Sequence, residues 1–336
     1  MNFPPFLRLL LCPLSVVYGG YVRIRAWLYA KGWLRQRHLL GKVISVGNLT
    51  VGGTGKTPMV LWLADKFLAK GKRVAILSRG YRGKGGTSDE IELMKHRLQG
   101  RVAFGVGKDR FAEGHRIEEK ESVDVFLLDD GFQHLPLARD LDILVLDGSR
   151  KLKEQWLLPS GVLREPISAC RRADILVVTR KYERPNIEAG DAQEHSIFYA
   201  QTRLLGFRRH GAPADMRYLS EIGHRPFFAF CGIGNPQAFF DDLTRWHVPV
   251  AGQSIFRDHH RYNLADLRQL EKAAQSAGAL AFVTTEKDAQ NLPEGNSSAI
   301  PTFIAVIDFV LSTESEFLAA LERKLNPPHL PQGAPA

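Results

Sequence analysis

Residues 47–58, Gly47-Asn48-Leu49-Thr50-Val51-Gly52-Gly53-Thr54-Gly55-Lys56-Thr57-Pro58, lie between a β-branched run, Val43–Gly47, and an apolar helical stretch, Met59–Lys70. Glycines let successive backbone N–H groups converge as an anion nest. Lys56 supplies a cation for β- and γ-phosphates, and the Thr57 hydroxyl can ligate Mg²⁺. This is a phosphate-binding P-loop formed by residues 50–57. The strict pattern places glycine where this chain has Thr50, but the core Gly52, Gly53, Thr54, Gly55, Lys56, Thr57 keeps its strand–loop–helix context.

A P-loop needs a carboxylate for the metal, and the buried-type run Val125–Leu128 ends in Asp129 and Asp130. Either is a candidate Mg²⁺ ligand beside Thr57. Arg79, Arg82 and Arg110 are candidate phosphate contacts, because guanidinium forks match phosphate oxygens. Gln133 and His134 follow the paired acids and are candidates for placing phosphate or acceptor.

From Lys42 onward, short β-branched runs (43–47, 73–78, 102–106, 123–129, 142–147 and 174–179) alternate with helical stretches. That alternation predicts α/β architecture: a P-loop NTPase-like, mostly parallel sheet with helices on both faces. A longer extended run at 197–209 and a strand near 216–219 predict a two-stranded linker. Beyond it, runs at 226–231, 281–285 and 303–309, with helices at 264–277 and 314–325, predict a smaller C-terminal α/β domain. The expected segments are a helical N-terminal region 1–42, a P-loop domain 43–196, a linker 197–225, an α/β domain 226–325 and a disordered tail 326–336.

The chain carries a net charge of +9, which raises the question of nucleic acid. Residues 1–64 hold eight of the 45 basic residues and none of the 36 acids, so the remainder is nearly neutral and nucleic-acid binding is not expected. The same N-terminal end is the most apolar part of the chain. Phe6–Tyr18, interrupted by Arg8 and Pro13, is too short for a membrane span of about 20 residues. Tyr21, Trp27, Tyr29 and Trp33 then interleave with arginines and lysines, a pattern suited to an anionic bilayer surface, and this outweighs a simple packed helical pair. Three scattered cysteines exclude a disulfide framework and point to a reducing cytoplasm. No obligate protein partner is evident.

A P-loop specifies nucleotide and leaves the reaction open. Partition-type and metal-insertion ATPases share the Gly-Gly-Thr-Gly-Lys-Thr core, but they carry a signature lysine where this chain has Val51. The remaining motifs are more specific. The blocks 46–58, 78–84, Ser88-Asp89-Glu90, Asp109-Arg110, Asp129–His134 with Arg139-Asp140, 158–161 with Leu163-Arg164-Glu165-Pro166, 231–236, Asp258-His259-His260 and Thr285-Glu286-Lys287-Asp288 together resemble the tetraacyldisaccharide 4′-kinase family of lipid A biosynthesis.

The resemblance implies an ATP- and Mg²⁺-dependent kinase. It would phosphorylate the 4′-hydroxyl of an acylated glucosamine disaccharide 1-phosphate, as a peripheral protein on the cytoplasmic face of the inner membrane. It also implies an active site between the two domains; because Asp89 and His259 lie on either side of the linker in sequence, a dyad across the cleft and closure of the domains are expected. Asp89 would be the general base and His259 its dyad partner, although Ile91 stands where the family usually has proline. Arg164 is the candidate on the acceptor side. Read without the family, Asp89 is one more acid on a polar loop. The consecutive Asp258, His259 and His260 lack the spacing of a zinc site. Lys287 and Asp288 are open between adenine recognition and domain closure.

Overall fold

The structure is a computed structural model that describes residues 5–80, 88–149, 152, 155–180, 196–212, 215–223, 225–293 and 299–326. The chain divides into two compact units. Unit 1 comprises residues 1–79, 101–201 and 310–336, and unit 2 comprises 80–100 and 202–309. Arg82 and almost all of the 326–336 tail lie outside the described residues.

Unit 1 is built on β1 (Lys42–Gly47), β2 (Val74–Ser78), β3 (Ala103–Val106), β4 (Val125–Asp129), β5 (Leu141–Asp147), β6 (Ile175–Thr179) and the first part of β7 (Ser196–Arg209). Their order is β7-β6-β5-β1-β4-β2-β3, with every described pairing parallel. β2, β4, β5 and β6 are buried along their whole length, as expected of strands covered on both faces.

Unit 2 holds β8 (Met216–Arg217), β9 (Phe227–Cys231), β10 (Val250–Ile255), β11 (Ala281–Thr285) and β12 (Thr302–Leu311). Its order is β10-β9-β11-β12-β7, and Phe227, Phe230, Phe282 and Phe303 fill its core. Nothing in the sequence pattern announces β10. Val-Ala-Gly-Gln-Ser-Ile is a mostly exposed edge strand with a register shift between Val250 and Gly252, so it lacks the apolar alternation that marks a strand.

Two expected boundaries change. Residues 80–100 belong to unit 2, because helix α3 (numbered after α1, Pro5–Ala30, and α2, Lys56–Ala69), spanning Asp89–Leu98, packs on the one-turn helix Glu286–Ala289. An ion pair between Arg97 and Glu286 ties the two. Conversely, the terminal helix Glu314–Leu325 belongs to unit 1, where Phe317 meets Trp62 of α2 and Phe198 of β7 in edge-to-face contacts. The linker is more than one hairpin, since β7 and β12 both run from one unit into the other, while β8 pairs with β7 at only two positions.

The N-terminal region is one 26-residue helix, α1, that passes through Pro13, so the apolar stretch is not broken there. At about 1.5 Å per residue it is roughly 39 Å long. By length and composition it is sufficient to cross a membrane, which corrects the expectation of a run too short to do so. Polar contacts from three of its side chains tie one side of it to the rest of unit 1. The Ser15 hydroxyl donates to the Leu157 carbonyl at 3.0 Å, the Tyr18 hydroxyl to the Arg164 carbonyl at 2.8 Å, and Arg25 to the Gln133 carbonyl at 3.1 Å. Phe6, Leu10 and Val17 are 72%, 72% and 71% exposed.

Candidate functional site

In unit 1, β1 delivers the chain into the glycine loop at the sheet edge where neighbouring strands also end, the place where parallel α/β sheets bind ligands. Gly52 and Gly55 adopt φ of 105° and 93°, a region that disfavours side chains. Thr50 does not. It forms a strand-like bridge with Leu163, and the Val51 N–H donates to the Val162 carbonyl at 2.8 Å. Glycine is dispensable at that position because the backbone there is extended.

The loop is braced from below. Asn48 donates from Nδ2 to the Thr54 hydroxyl at 3.1 Å, the Thr179 hydroxyl donates to the Thr54 carbonyl at 3.0 Å, and Arg180 donates to the Gly53 carbonyl at 3.2 Å. Arg180 is itself held by Asp147 at 3.1 Å. Asp147 and Thr179 end β5 and β6, so the rule that sites gather at strand C-termini was the signal that could have flagged them. Arg180 carried no such signal.

Asp129 closes β4 in register with Val46 of β1, and its carboxylate accepts from Ser78 at 3.3 Å. Asp130 has a left-handed backbone, φ 51°, which aspartate tolerates better than most residues. Its two oxygens accept from Arg164 at 2.8 and 2.6 Å, and Lys56 lies 3.5 Å away. Burial pushes the Asp130 carboxyl up, but Lys56, Arg164 and Arg110 outweigh burial and hold it well below the usual carboxylate range. Arg110, buried at the start of α4 (Arg110–Glu118), faces Asp130, Asp129 and Arg79, and burial makes its charge harder to keep. Lys56, Asp130, Arg164, Arg110, Asp129 and Arg79 therefore form one charged cluster around the loop.

Gln133 and His134 are placed differently from each other. Gln133 donates to the Asn48 carbonyl at 2.9 Å and so supports the loop's entry. Burial, reinforced by Arg110, Arg139 and Arg25, pushes His134 down to about 3, so its ring is neutral. Among the described residues no group of three or more His, Cys, Asp or Glu is arranged around a metal position. A Mg²⁺ ion held by one or two protein oxygens plus nucleotide phosphates needs no such cage. The hard oxygens of Thr57 and Asp129 suit it. Asp130, already neutralised by two cations, is the poorer direct ligand.

Unit 2 carries a second cluster. Asp89 opens α3, and its Oδ2 accepts from His259 Nδ1 and from Asn291 Nδ2, each at 2.9 Å. Asp89 and His259 are thus brought together within one unit, not contributed by opposite bodies. Burial raises the Asp89 carboxyl, but the bonds from His259 and Asn291, with the His259 and Lys287 charges, bring it down to about 2. The Asp89 bond raises His259 above its ordinary value against the opposing effects of burial and Lys287.

His259 is held at φ 62°, with its N–H on the Gly232 carbonyl at 3.1 Å. A side chain at Gly232 would sit 2.8 Å from the Arg257 carbonyl, so only glycine allows that approach. His260 turns away to Asp266 at 3.0 Å, so the consecutive histidines serve different carboxylates. Asp288 accepts from Gly232 N–H, Tyr262 and Thr285 at 2.8, 2.9 and 2.6 Å and stitches the loops beneath the dyad. Lys287 joins the dyad's surroundings instead. Asn291, in a plain Ala-Gln-Asn-Leu stretch, gave no sequence signal.

A glycine-rich loop between a parallel strand and a helix, beside a strand ending in acids, defines a P-loop nucleotide-binding α/β protein. Residues 7–326 match the family described as Tetraacyldisaccharide-1-P 4′-kinase. The chain belongs to that family. It is 38% identical to a tetraacyldisaccharide 4′-kinase of Geobacter metallireducens over 94% of this chain and 98% of the relative. It is 37% identical to that of Geobacter sulfurreducens over 93% and 92%. Its fold is similar to that of LpxK from Aquifex aeolicus, crystallised in complex with ATP, with a TM-score of 0.74, 33% identity, and coverage of 95% of this chain and 99% of that one.

Proposed function

We propose that this chain transfers the γ-phosphoryl group of ATP to the 4′-hydroxyl of a tetraacyldisaccharide 1-phosphate. The O4′–Pγ bond forms as the bond from Pγ to the bridging oxygen of the departing ADP breaks, and the hydroxyl proton passes to Asp89. Loose phosphoryl transfer asks mainly for positioning, charge neutralisation and a proton acceptor. Residues 50–57 hold the phosphates, with Lys56 on the β- and γ-oxygens and Arg79, Arg82 and Arg110 adding positive charge. Thr57 and Asp129 would hold Mg²⁺, which when bound neutralises charge on the β- and γ-phosphates.

The observation that carries the base assignment is the state of Asp89. Both described donors engage Oδ2, the carboxyl is anionic at any working pH, and Oδ1 is the oxygen left for the hydroxyl proton. Arg164, steadied by Asp130, is assigned to the acceptor, as are Gln133 and His134. The exposed apolar side of α1 and the cations after it suit a peripheral site on the cytoplasmic face of the inner membrane, where a lipid acceptor is met. Ties at Ser15, Tyr18 and Arg25 lay α1 along unit 1, which favours surface binding over a span.

The test is transfer of radiolabelled γ-phosphate from MgATP to a detergent-dispersed tetraacyldisaccharide 1-phosphate. A labelled 4′-phosphate product from wild type, absent with Lys56→Ala, is expected. A folded, ATP-binding wild type that labels no acceptor would overturn the proposal.

A further inference from the structure

Lys287 lies half-buried beside the dyad on the one-turn helix Glu286–Ala289. Its Nζ lies 3.1 Å from Asp258 Oδ1, 3.6 Å from Glu90 Oε1 and 3.5 Å from His259 Nε2. A lysine ammonium has donors and no acceptor, so its contact with Nε2 requires that nitrogen to present a lone pair. The ring proton of neutral His259 then sits on Nδ1, aimed at Asp89 Oδ2. We infer that Lys287 is a positioning residue that holds neutral His259 in the Nδ1–H tautomer, so that Asp89 alone receives the hydroxyl proton and His259 orients it.

The opposite tautomer would point an N–H at the ammonium. When His259 is protonated its charge faces the Asp258 carboxylate, 3.8 Å from Nε2, and Nδ1–H still faces Asp89. In both charge states Nδ1 keeps its hydrogen and cannot take one from Asp89. The charged groups that bear on His259 are Asp89 from α3, Asp258 from its own loop and Lys287 from the helix after β11. Burial disfavours the Lys287 charge, but Glu90, Asp258 and Asp89 outweigh burial and keep it cationic.

For its catalytic arm this inference rests on the kinase reading, so the test has an arm that needs no turnover. Full-length protein labelled with [15N]histidine gives the protonation of each ring nitrogen by NMR, the His259 signals being assigned from their loss in His259→Gln. Wild type above the His259 midpoint is expected to show Nδ1 protonated and Nε2 bare. An Nε2–H signature there would overturn the inference without any variant. Lys287→Met, which keeps the stem and removes the charge, is expected to admit the Nε2–H tautomer and to raise the midpoint by about one pH unit. A folded Lys287→Met with an unchanged tautomer and midpoint would also overturn it.

In the transfer assay, Lys287→Met is expected to lower kcat about tenfold with KM for MgATP unchanged, and to move the acid limb of the kcat profile upward, because an imidazolium makes Asp89 a poorer proton acceptor. Lys287→Arg is expected to restore the limb, which a merely structural lysine would not require. If wild type transfers no phosphate, the kinase reading fails while the tautomer result stands on its own.

Discussion

The two clusters are built on opposite plans. The phosphate loop of unit 1 is contiguous: eight neighbouring residues supply the nest, the cation and the hydroxyl, and the surrounding strands only brace it. The dyad of unit 2 is assembled at a distance, with Asp89, His259, Lys287 and Asn291 arriving from separate segments. An anion is recognised mainly by backbone N–H groups, which a short loop can aim by itself. A carboxylate held anionic within a folded chain needs donors on several sides, and these come only from tertiary structure.

The sharpest break in that comparison is Lys56→Ala, which removes the one side-chain charge that the loop supplies. Transfer is expected to fall on the order of a thousandfold, measured by product formation at saturating MgATP. Asp89→Asn comes next, with kcat lowered by about 10² to 10³ and nucleotide affinity unchanged by calorimetry. If nucleotide affinity fell equally, the two clusters would not divide the work as described.

Asn291→Ala deletes one of two donors to the Asp89 oxygen and is expected to cost about tenfold in kcat while raising the Asp89 carboxyl toward its ordinary value. Arg180→Ala removes a brace under the Gly53 carbonyl, and the expected loss is several-fold in nucleotide affinity, about 1 kcal/mol, with kcat nearly intact. Stability against pH sharpens the contrast further. The Asp89 carboxyl is lowered from 3.8 to about 2, so its contribution is present above about pH 4 and is lost as pH falls through 2. His259 is raised from 6.5, so its contribution is present below about 6.5 and is lost as pH rises through the higher folded value. The pair therefore contributes most between these limits, and urea melts of Asp89→Asn are expected to lose stability chiefly in that window.

The same division explains what could be read from the chain. The loop, the acids ending β4 and the alternation of the parallel sheet are local patterns, and each lies where the sequence places it. Even the departure at Thr50 follows from its extended bridge to Leu163. Asp89 was legible only through the resemblance of its motif, because nothing around it in sequence announces His259 or Asn291. The move of 80–100 into unit 2 was hidden for the same reason: Arg97 finds Glu286 across 189 positions. β10 escaped because an exposed edge strand carries no apolar rhythm.

The terminal helix Glu314–Leu325 has a consequence in time. Its Phe317 covers Trp62 on the helix that begins with Lys56, and Glu314 pairs with Lys66 of the same helix. A chain emerging from the ribosome therefore presents its phosphate loop some 250 residues before the last element that buttresses it. Until that element arrives, the nascent chain has a nucleotide helix with one aromatic flank still open to solvent. Completion of unit 1 therefore waits until the residues 202–309 of unit 2 have been made.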